Sequence, residues 1–223
     1  MIEANDIFCD FDTRIALLCG DVADSNDVAM LANDIVENKI PLISVPSTVL
    51  SVIWTYLEKS KVKIFTRHIF ETLTKNFDKD VSDLSAKIVS DFKSGANGVQ
   101  IFVKMRDFEK ITDLLSVIRD DLFFEHDLSF VIDVKDIGVD NLDLIFKKLK
   151  DIRANALGIC LSEDMGMRSD FIGKIYGMLE KWDFDGDLHF ILQNNFERID
   201  QAIRLIESVK PELSERVRFF LEH

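Results

Sequence analysis

The sequence predicts an α/β protein, and within that class a (β/α)8 TIM barrel, from two observations. Short β-rich apolar runs alternate with longer runs in which apolar residues recur every three or four positions. Eight of the first kind and seven of the second fit into 223 residues, each pair close to the length of a βα repeat. An open doubly wound sheet remains an alternative, but no predicted strand is followed by a glycine-rich nucleotide loop. We therefore expect the barrel.

The eight predicted strands are rich in Ile, Val, Leu and Phe. They span residues 15–20, 40–45, 62–66, 98–103, 129–134, 156–161, 188–192 and 216–220.

The seven predicted helices follow from apolar spacing. In the first, five residues fall on one helical face, which are Val28, Leu31, Ala32, Ile35 and Val36. The apolar stripes of the other six lie within 49–57, 81–92, 108–122, 142–149, 171–179 and 199–209. We expect Gly95 at the C′ position after the third helix and Pro211 to stop the seventh.

Charge and hydropathy exclude several classes of function. Forty acidic and 27 basic side chains give a net charge of −13, which would repel a phosphate backbone, and we find no basic cluster to offset it. No apolar run reaches the roughly 18 residues of a membrane span, and the amino terminus lacks a signal peptide's basic start. We expect a soluble, cytoplasmic protein with no nucleic-acid or membrane partner.

The cysteines do not indicate a metal centre. Cys9, Cys19 and Cys160 are far apart, with no C-x-x-C pair and no histidine grouping. We expect reduced, mostly buried thiols, no metal and no cofactor.

The predicted domain spans residues 1–220, with 1–14 as an amino-terminal extension. Residues 221–223 resemble the start of an expression-tag remnant. The chain then ends at its eighth strand, so we expect the barrel to lack its last helix. Ile7, Phe8 and Phe11 are available to cover that strand; an uncovered apolar strip would favour a homodimer.

Two other motifs fit poorly. Residues 7–13 are similar to the nucleophile strand of haloacid-dehalogenase-type phosphatases, but Thr13 comes one position early. Residues 183–187 have the composition of a calcium loop without its ligand spacing. We expect a polar turn there, with Gly186 at a positive φ.

Candidate site residues lie at the carboxyl ends of the strands, the end that holds TIM-barrel active sites. Alternation along the strands places polar side chains on the inward faces of strands four to seven. The catalytic candidates are Lys104, Asp133, Lys135 and His189. The substrate-binding candidates are Gln100, Ser162 and Gln193, together with Arg168 and Ser169 in an anion-binding segment after strand six.

These residue types suit carbonyl chemistry. A lysine removed from water can form a Schiff base with a carbonyl, and a neighbouring carboxylate can relay the protons. Lys135 with Asp133 is one such pair, and Lys104 from the adjacent strand is another amine. The alternative is a structural Asp–Lys ion pair at a strand end, with His189 an ordinary interior histidine.

Three segments resemble the deoxyribose-phosphate aldolase family of class I aldolases. They are Ile-Ser-Val-Pro at 43–46, the entry to the fourth strand at 93–103, and Ala-Asn-Ala-Leu at 154–157. The resemblance implies an aldolase-type barrel. It also implies that Gln100, Gly158 and His189 stand where the family has its relaying aspartate, its Schiff-base lysine and a second lysine.

Two functional hypotheses follow. One is a carbon–carbon lyase, or other carbonyl chemistry on a small metabolite, that uses a relocated lysine at the barrel mouth. The other is a catalytically inactive aldolase-like barrel that serves as a binding or assembly protein.

Overall fold

Eight parallel strands close into a barrel in sequence order, with the first strand paired to the eighth. This architecture is seen in a computed structural model, which describes residues 14–20, 25–71, 76–117, 125–138, 140–161, 168–192 and 196–222. Each strand except the last is followed by a helix before the next begins, so the chain is a (β/α)8 TIM barrel. The predicted fold is confirmed.

All eight predicted strands form, with bounds that differ by a few residues. They are β1 Ile15–Leu18, β2 Leu42–Pro46, β3 Lys63–Phe70, β4 Gly98–Val103, β5 Asp127–Asp133, β6 Ala156–Cys160, β7 Asp187–Ile191 and β8 Val217–Glu222.

Seven α-helices cover the barrel within the described ranges. They are α1 Ser25–Glu37, α2 Ser47–Leu57, α3 Phe77–Lys93, α4 Met105–Val117, α5 Leu142–Asp151, α6 Arg168–Glu180 and α7 Phe196–Val209. Short 3₁₀ turns at Val134–Asp136 and Pro211–Leu213 follow β5 and α7. As predicted, α7 ends before Pro211, whose ring cannot continue an α-helix.

Alternation along the strands separates two apolar layers. Outward-facing residues such as Val99, Phe130 and Ile159 are fully buried beneath the helices and form the larger core. Inward-facing residues form a second, smaller cluster that includes Phe65 and Phe220. Bulky side chains therefore fill the barrel interior, which is a packed core and not an open channel.

Gly95 ends α3 as the sequence predicts. Its φ is +104°, a backbone conformation that glycine adopts at little cost. The Gly95 N–H donates to the Phe92 carbonyl at 3.1 Å, and the Ala96 N–H donates to the Asp91 carbonyl at 3.1 Å. These two bonds make a Schellman cap.

Gly186 is needed for a different reason from the one predicted. The φ of Gly186 is not positive, so the predicted turn conformation is wrong. A Cβ at this position would lie 2.3 Å from Cε1 of Phe184 and 2.6 Å from the Asn155 carbonyl oxygen. Close packing, and not backbone conformation, requires glycine here.

Leu221 and Glu222 are part of the barrel. Strand β8 continues beyond the predicted 216–220 segment, since Leu221 and Glu222 pair with Leu17 and Leu18 of β1. Leu221 is 3% exposed, and the outward-facing Val217 and Phe219 are fully buried. The outer face of β8 therefore does not present the exposed apolar strip that would have favoured a dimer.

A buried polar cluster joins α2, β3 and α3 on the outside of the barrel. The Ser47 hydroxyl donates to Asp91 Oδ2 at 2.8 Å, and His68 Nε2 lies 2.8 Å from the same oxygen. Burial alone would raise the pKa of Asp91, but these hydrogen bonds hold it below its ordinary value. Strand β3 extends through His68 because the hydrogen bond with Asp91 gives this buried polar side chain a partner under the helices.

No helix among the described residues is long and apolar enough to cross a membrane.

Candidate active site

Charged side chains meet at the carboxyl end of the barrel, which we call the mouth. Arg67 lies on the inward face of β3, and its Nη2 donates to the Cys19 carbonyl at 2.8 Å. Asp133 ends β5, opposite Cys160 of β6, and Glu222 ends β8. The mouth thus has charged groups of both signs on three strands, β3, β5 and β8.

Asp133 and Lys135 come together as predicted. Lys135 Nζ lies 3.3 Å from Asp133 Oδ2, and the Lys135 backbone N–H donates to Asp133 Oδ1 at 2.9 Å. The carboxylate therefore caps the 3₁₀ turn that carries the lysine. The Lys135 side chain is 54% exposed, so the described residues do not enclose its amine as a Schiff-base lysine requires.

Lys174 of α6 binds the backbone of this turn. Its ammonium donates to the backbone carbonyls of Val134, Lys135 and Ile137 at 3.0, 2.8 and 3.2 Å. One cation thus binds three carbonyls of the turn, of which the Val134 carbonyl also accepts the Ile137 N–H. Sequence reasoning missed Lys174, because it lies 39 residues from Lys135 and only the packing of α6 brings it there.

Lys104 follows β4 directly and is exposed. Its backbone carbonyl accepts the Asp107 N–H at 2.9 Å in the first turn of α4. No ion pair joins its amine to a carboxylate within the described ranges.

Gln100 lies inside the barrel and not at the mouth. It is fully buried, and its Oε1 accepts a 2.7 Å hydrogen bond from the Ser44 hydroxyl. Phe102 is the next inward residue of β4 and lies closer to the mouth. Gln100 Nε2 is buried without a partner in the described part of the chain.

His189 also points inward, but it lies in the amino-terminal half of the barrel. Its ring is tilted against Phe65 and Phe220, with centroids 6.4 and 5.1 Å away, and its Nδ1 is 3.5 Å from the Ser129 hydroxyl. Burial, reinforced by the nearby Arg218 charge, lowers the pKa of His189 to about 3. The imidazole is therefore neutral at physiological pH.

Gly158 has no room for a side chain. A Cβ there would lie 2.7 Å from Val131 Cγ2 and 3.3 Å from the Phe130 carbonyl oxygen. Val131 is the paired residue on β5 and belongs to the inner apolar cluster. The sixth-strand position that the aldolase resemblance assigns to a Schiff-base lysine is thus closed by a neighbouring valine.

Cys160 shares the mouth with Asp133 but is not activated. Burial raises the pKa of its thiol to about 11, and the Asp133 and Glu222 charges act in the same direction. A thiol protonated at neutral pH is a poor nucleophile.

The structure describes no side chain for the other four candidate site residues, Ser162, Gln193, Arg168 and Ser169. Ser162 and Gln193 lie outside the described residues. Arg168 and Ser169 begin α6, and the structure describes their backbone alone. No group of three His, Cys, Asp or Glu side chains suited to a metal ion occurs in the described ranges.

Arg67 and Glu222 are mouth residues that sequence reasoning missed. Arg67 fell beyond the predicted end of β3, and Glu222 was assigned to a tag remnant. Apolar residues continue past the predicted end of β3, at Ile69 and Phe70, although Arg67 and His68 interrupt them. That continuation was the sequence signal that β3 extends to Arg67.

Comparison with solved structures finds the same fold among aldolases. A tetrameric deoxyribose-phosphate aldolase from Aeropyrum pernix has 11% identity and a TM-score of 0.68, covering 98% of this chain and 93% of its own. A proposed deoxyribose-phosphate aldolase from Toxoplasma gondii has 12% identity and a TM-score of 0.72, covering 96% and 91%.

QR15, an aldolase, has 13% identity and a TM-score of 0.68, covering 95% of this chain and 91% of its own. At these identities the likeness establishes the fold, and the predicted resemblance is confirmed at that level. No protein-family model matches the chain, and a search of curated proteins finds no match either.

Proposed function

We propose that this chain is an aldolase-like barrel that binds a small metabolite at its mouth and does not cleave it through a Schiff base on strand six. The observation that carries this proposal is the packing of Val131 against Gly158. Schiff-base catalysis needs an amine at the reacting carbon, and this position of the barrel has neither an amine nor space for one.

The neighbouring positions support the same conclusion. Gln100 cannot relay a proton as a carboxylate does, and it is fully buried beside Ser44. His189 carries no charge at neutral pH and lies below the apolar layer formed with Phe220. The charged mouth groups, Arg67 and Asp133 among them, remain available to bind polar ligands.

The test uses deoxyribose phosphate, the substrate named for the structural neighbours, together with simple aldehydes such as acetaldehyde. We expect no release of aldehyde from deoxyribose phosphate and a ligand-dependent rise in melting temperature. Cleavage of deoxyribose phosphate by the purified chain would overturn the proposal. So would the absence of any stabilisation by a panel of sugar phosphates and small aldehydes.

Carbonyl chemistry through a relocated lysine is the second candidate function. It is favoured by the 3.3 Å approach of Lys135 Nζ to Asp133 Oδ2 at the end of β5. Borohydride reduction in the presence of each aldehyde, followed by mass mapping, separates it from the first. Labelling of Lys135 or Lys104 well above that of the exposed Lys61 would support the enzyme.

A matched pair of variants completes that comparison. Lys135→Arg keeps the positive charge and removes the nucleophile, whereas Lys61→Arg makes the same change at the opposite end of the barrel. The second candidate requires loss of specific labelling in Lys135→Arg and its retention in Lys61→Arg. Equal, scattered labelling in both variants is the result expected for the binding protein.

We also propose self-association, as a homodimer or larger assembly. The support is the tetrameric state named for the Aeropyrum pernix neighbour. Light scattering across a concentration series tests it, and a single mass of 25.6 kDa at all concentrations would contradict it.

A further inference from the structure

A cavity opens at the amino-terminal end of the barrel, opposite the mouth. Its volume is about 760 Å³, within the range of small-ligand sites. The first residues of five strands line it, and Phe65 and His189 form its inner wall. The five strand-start residues are Leu42, Lys63, Asp127, Ala156 and Asp187. We call this space the basal cavity.

The basal cavity is locally cationic in an acidic chain. Its lining includes five basic side chains, which are Lys61, Lys63, Lys150, Arg153 and Arg218. It includes three acidic ones, which are Asp127, Asp185 and Asp187. The formal balance is therefore 5 − 3 = +2 around the cavity, against −13 for the whole chain. Such a reversal of sign attracts anions.

The three carboxylates around the basal cavity differ in how far they oppose an anion. Asp127 is already paired, since Lys63 Nζ lies 2.8 Å from its Oδ2. Burial raises the pKa of Asp187, although the Arg218 and Arg216 charges act in the opposite direction, and the closest contact to it among the described ion pairs is Arg216 at 4.0 Å. Asp185 is exposed at the rim.

Arg218 has unused donors in this cavity. Its Nη1 donates to the backbone carbonyls of Glu215 and Val217 at 3.0 and 2.8 Å. Within the described ranges, no carboxylate lies in ion-pair distance of it, and its Nε and Nη2 have no partner. Arg218 is partly buried, so this guanidinium lies in a shielded position where charge-assisted hydrogen bonds are strong.

His189 adds a buried polar group to the same wall. It is 3% exposed and pairs in register with Arg218 of β8. Apart from its 3.5 Å contact with the Ser129 hydroxyl, the ring has no hydrogen-bond partner among the described residues. A buried imidazole with a free nitrogen beside an arginine with free donors is a polar pair that the fold itself does not use.

Most of the remaining lining residues are apolar, with Asn155 as the polar exception. Phe65 and Leu42 are buried inner-cluster residues, and Phe184 is 6% exposed at the side. A ligand that fits must therefore combine an anionic head with an apolar body.

We propose that the basal cavity binds a small organic anion, a phosphate monoester or carboxylate, chiefly through Arg218, with Lys63, which also pairs with Asp127, as a second cation. Its apolar body lies against Phe65 and Leu42. This site is separate from the mouth and does not depend on the function proposed there.

Calorimetric titration of the full chain with phenyl phosphate, benzoate, inorganic phosphate and benzyl alcohol tests the site. We expect phenyl phosphate or benzoate to bind, and inorganic phosphate and the neutral alcohol to bind more weakly or not at all. Whichever of phenyl phosphate and benzoate binds tighter identifies the head group. About 0.5 M salt should weaken binding, because it screens the charges.

Arg218→Gln is the decisive variant, with Arg204→Gln as its control. Arg204 is on α7, 78% exposed and paired only with Asp200 among the described ion pairs. We expect Arg218→Gln to lose about tenfold or more in affinity, the loss of one charge-assisted contact, with Arg204→Gln unchanged. Lys63→Gln, at an exposed position, serves if Arg218→Gln fails to fold.

Amide chemical shifts locate the bound anion. Changes at Leu42, Phe65 and Asp187 would support the basal cavity, whereas changes at Asp133 and Cys160 alone would overturn it. The proposal would also be overturned if neither phenyl phosphate nor benzoate bound, or if Arg218→Gln, Lys63→Gln and Arg204→Gln had equal affinities. Lys135→Arg changes only the mouth. If this variant binds phenyl phosphate as tightly as the parent, binding at the basal cavity is distinguished from binding at the mouth.

Discussion

The Ser44 hydroxyl donates a 2.7 Å hydrogen bond to the side-chain oxygen of Gln100 inside the barrel. Ser44 and Gln100 are both fully buried, and they lie on β2 and β4 with β3 between them. A polar contact thus crosses an interior that is otherwise mostly apolar.

Removing the hydroxyl alone should be costly. Ser44→Ala leaves the Gln100 oxygen buried without a donor, and we expect a loss of about 1–3 kcal/mol in the free energy of unfolding. The double variant Ser44→Ala with Gln100→Met removes both partners and the amide nitrogen that is already unpaired. It should be more stable than Ser44→Ala. Urea unfolding of both variants checks this, and additive losses would contradict it.

Adding one methyl group at Gly158 should destabilise the barrel. The new Cβ would lie 2.7 Å from Val131 Cγ2, so we expect Gly158→Ala to cost about 1–3 kcal/mol. Val131→Ala in the same chain removes that obstacle and should recover part of the loss. Thermal and urea unfolding measure the effect. If Gly158→Ala were as stable as the parent, the position would be open to a side chain after all.

The buried His189 should make the protein sensitive to acid. Its folded pKa of about 3 lies below the unfolded value, so the unfolded state binds the additional proton between these two values. The stabilisation is complete above about pH 6.5 and declines as pH falls toward 3. At about pH 5 this one group should remove about 2 kcal/mol.

His189→Gln tests this pH dependence. The variant keeps polar atoms in the cavity wall but does not titrate, so its stability should fall less between about pH 7 and pH 5. The comparison is made by urea unfolding at both values. Identical pH slopes for the two proteins would show that His189 does not titrate as its burial implies.

Lys174 should control the order of the turn that carries Lys135. Lys174→Met removes the cation shared by three carbonyls, and we expect a loss of about 1 kcal/mol with faster hydrogen exchange at Ile137. The Ile137 N–H closes this turn on the Val134 carbonyl at 3.2 Å. Lys87→Met, an exposed change on α3, is the control and should leave that exchange rate unaltered.

The fold could be predicted because each element has its own signal. Short β-rich apolar runs located the eight strands that the structure describes, and helical spacing located the seven α-helices that it describes, since both depend on residues near one another in the chain. The ends were less predictable where a polar residue is satisfied by a distant partner. His68 continues β3 because Asp91, 23 residues later, accepts its hydrogen bond.

The candidate site was predictable only in part, for a related reason. Asp133 and Lys135 are two residues apart on one strand end, so their contact follows from local geometry. Whether a side chain is enclosed depends on strands and helices far away in sequence. Periodicity placed Gln100 and His189 on inward faces correctly, but it could not show that Phe102 and Phe220 lie between them and the mouth.

The pairing of Glu222 with Leu18 has a practical consequence for the design of assays. Because β8 runs toward the mouth and reaches it at Glu222, a label or fusion partner attached directly after Glu222 would begin at the mouth, where the Glu222 charge already acts on the Cys160 thiol. A polyhistidine or fluorescent group attached there would compete with ligands for the mouth and contribute charge or metal-binding groups of its own. Proteins labelled after Glu222 and proteins without a label should therefore be compared before mouth binding is measured.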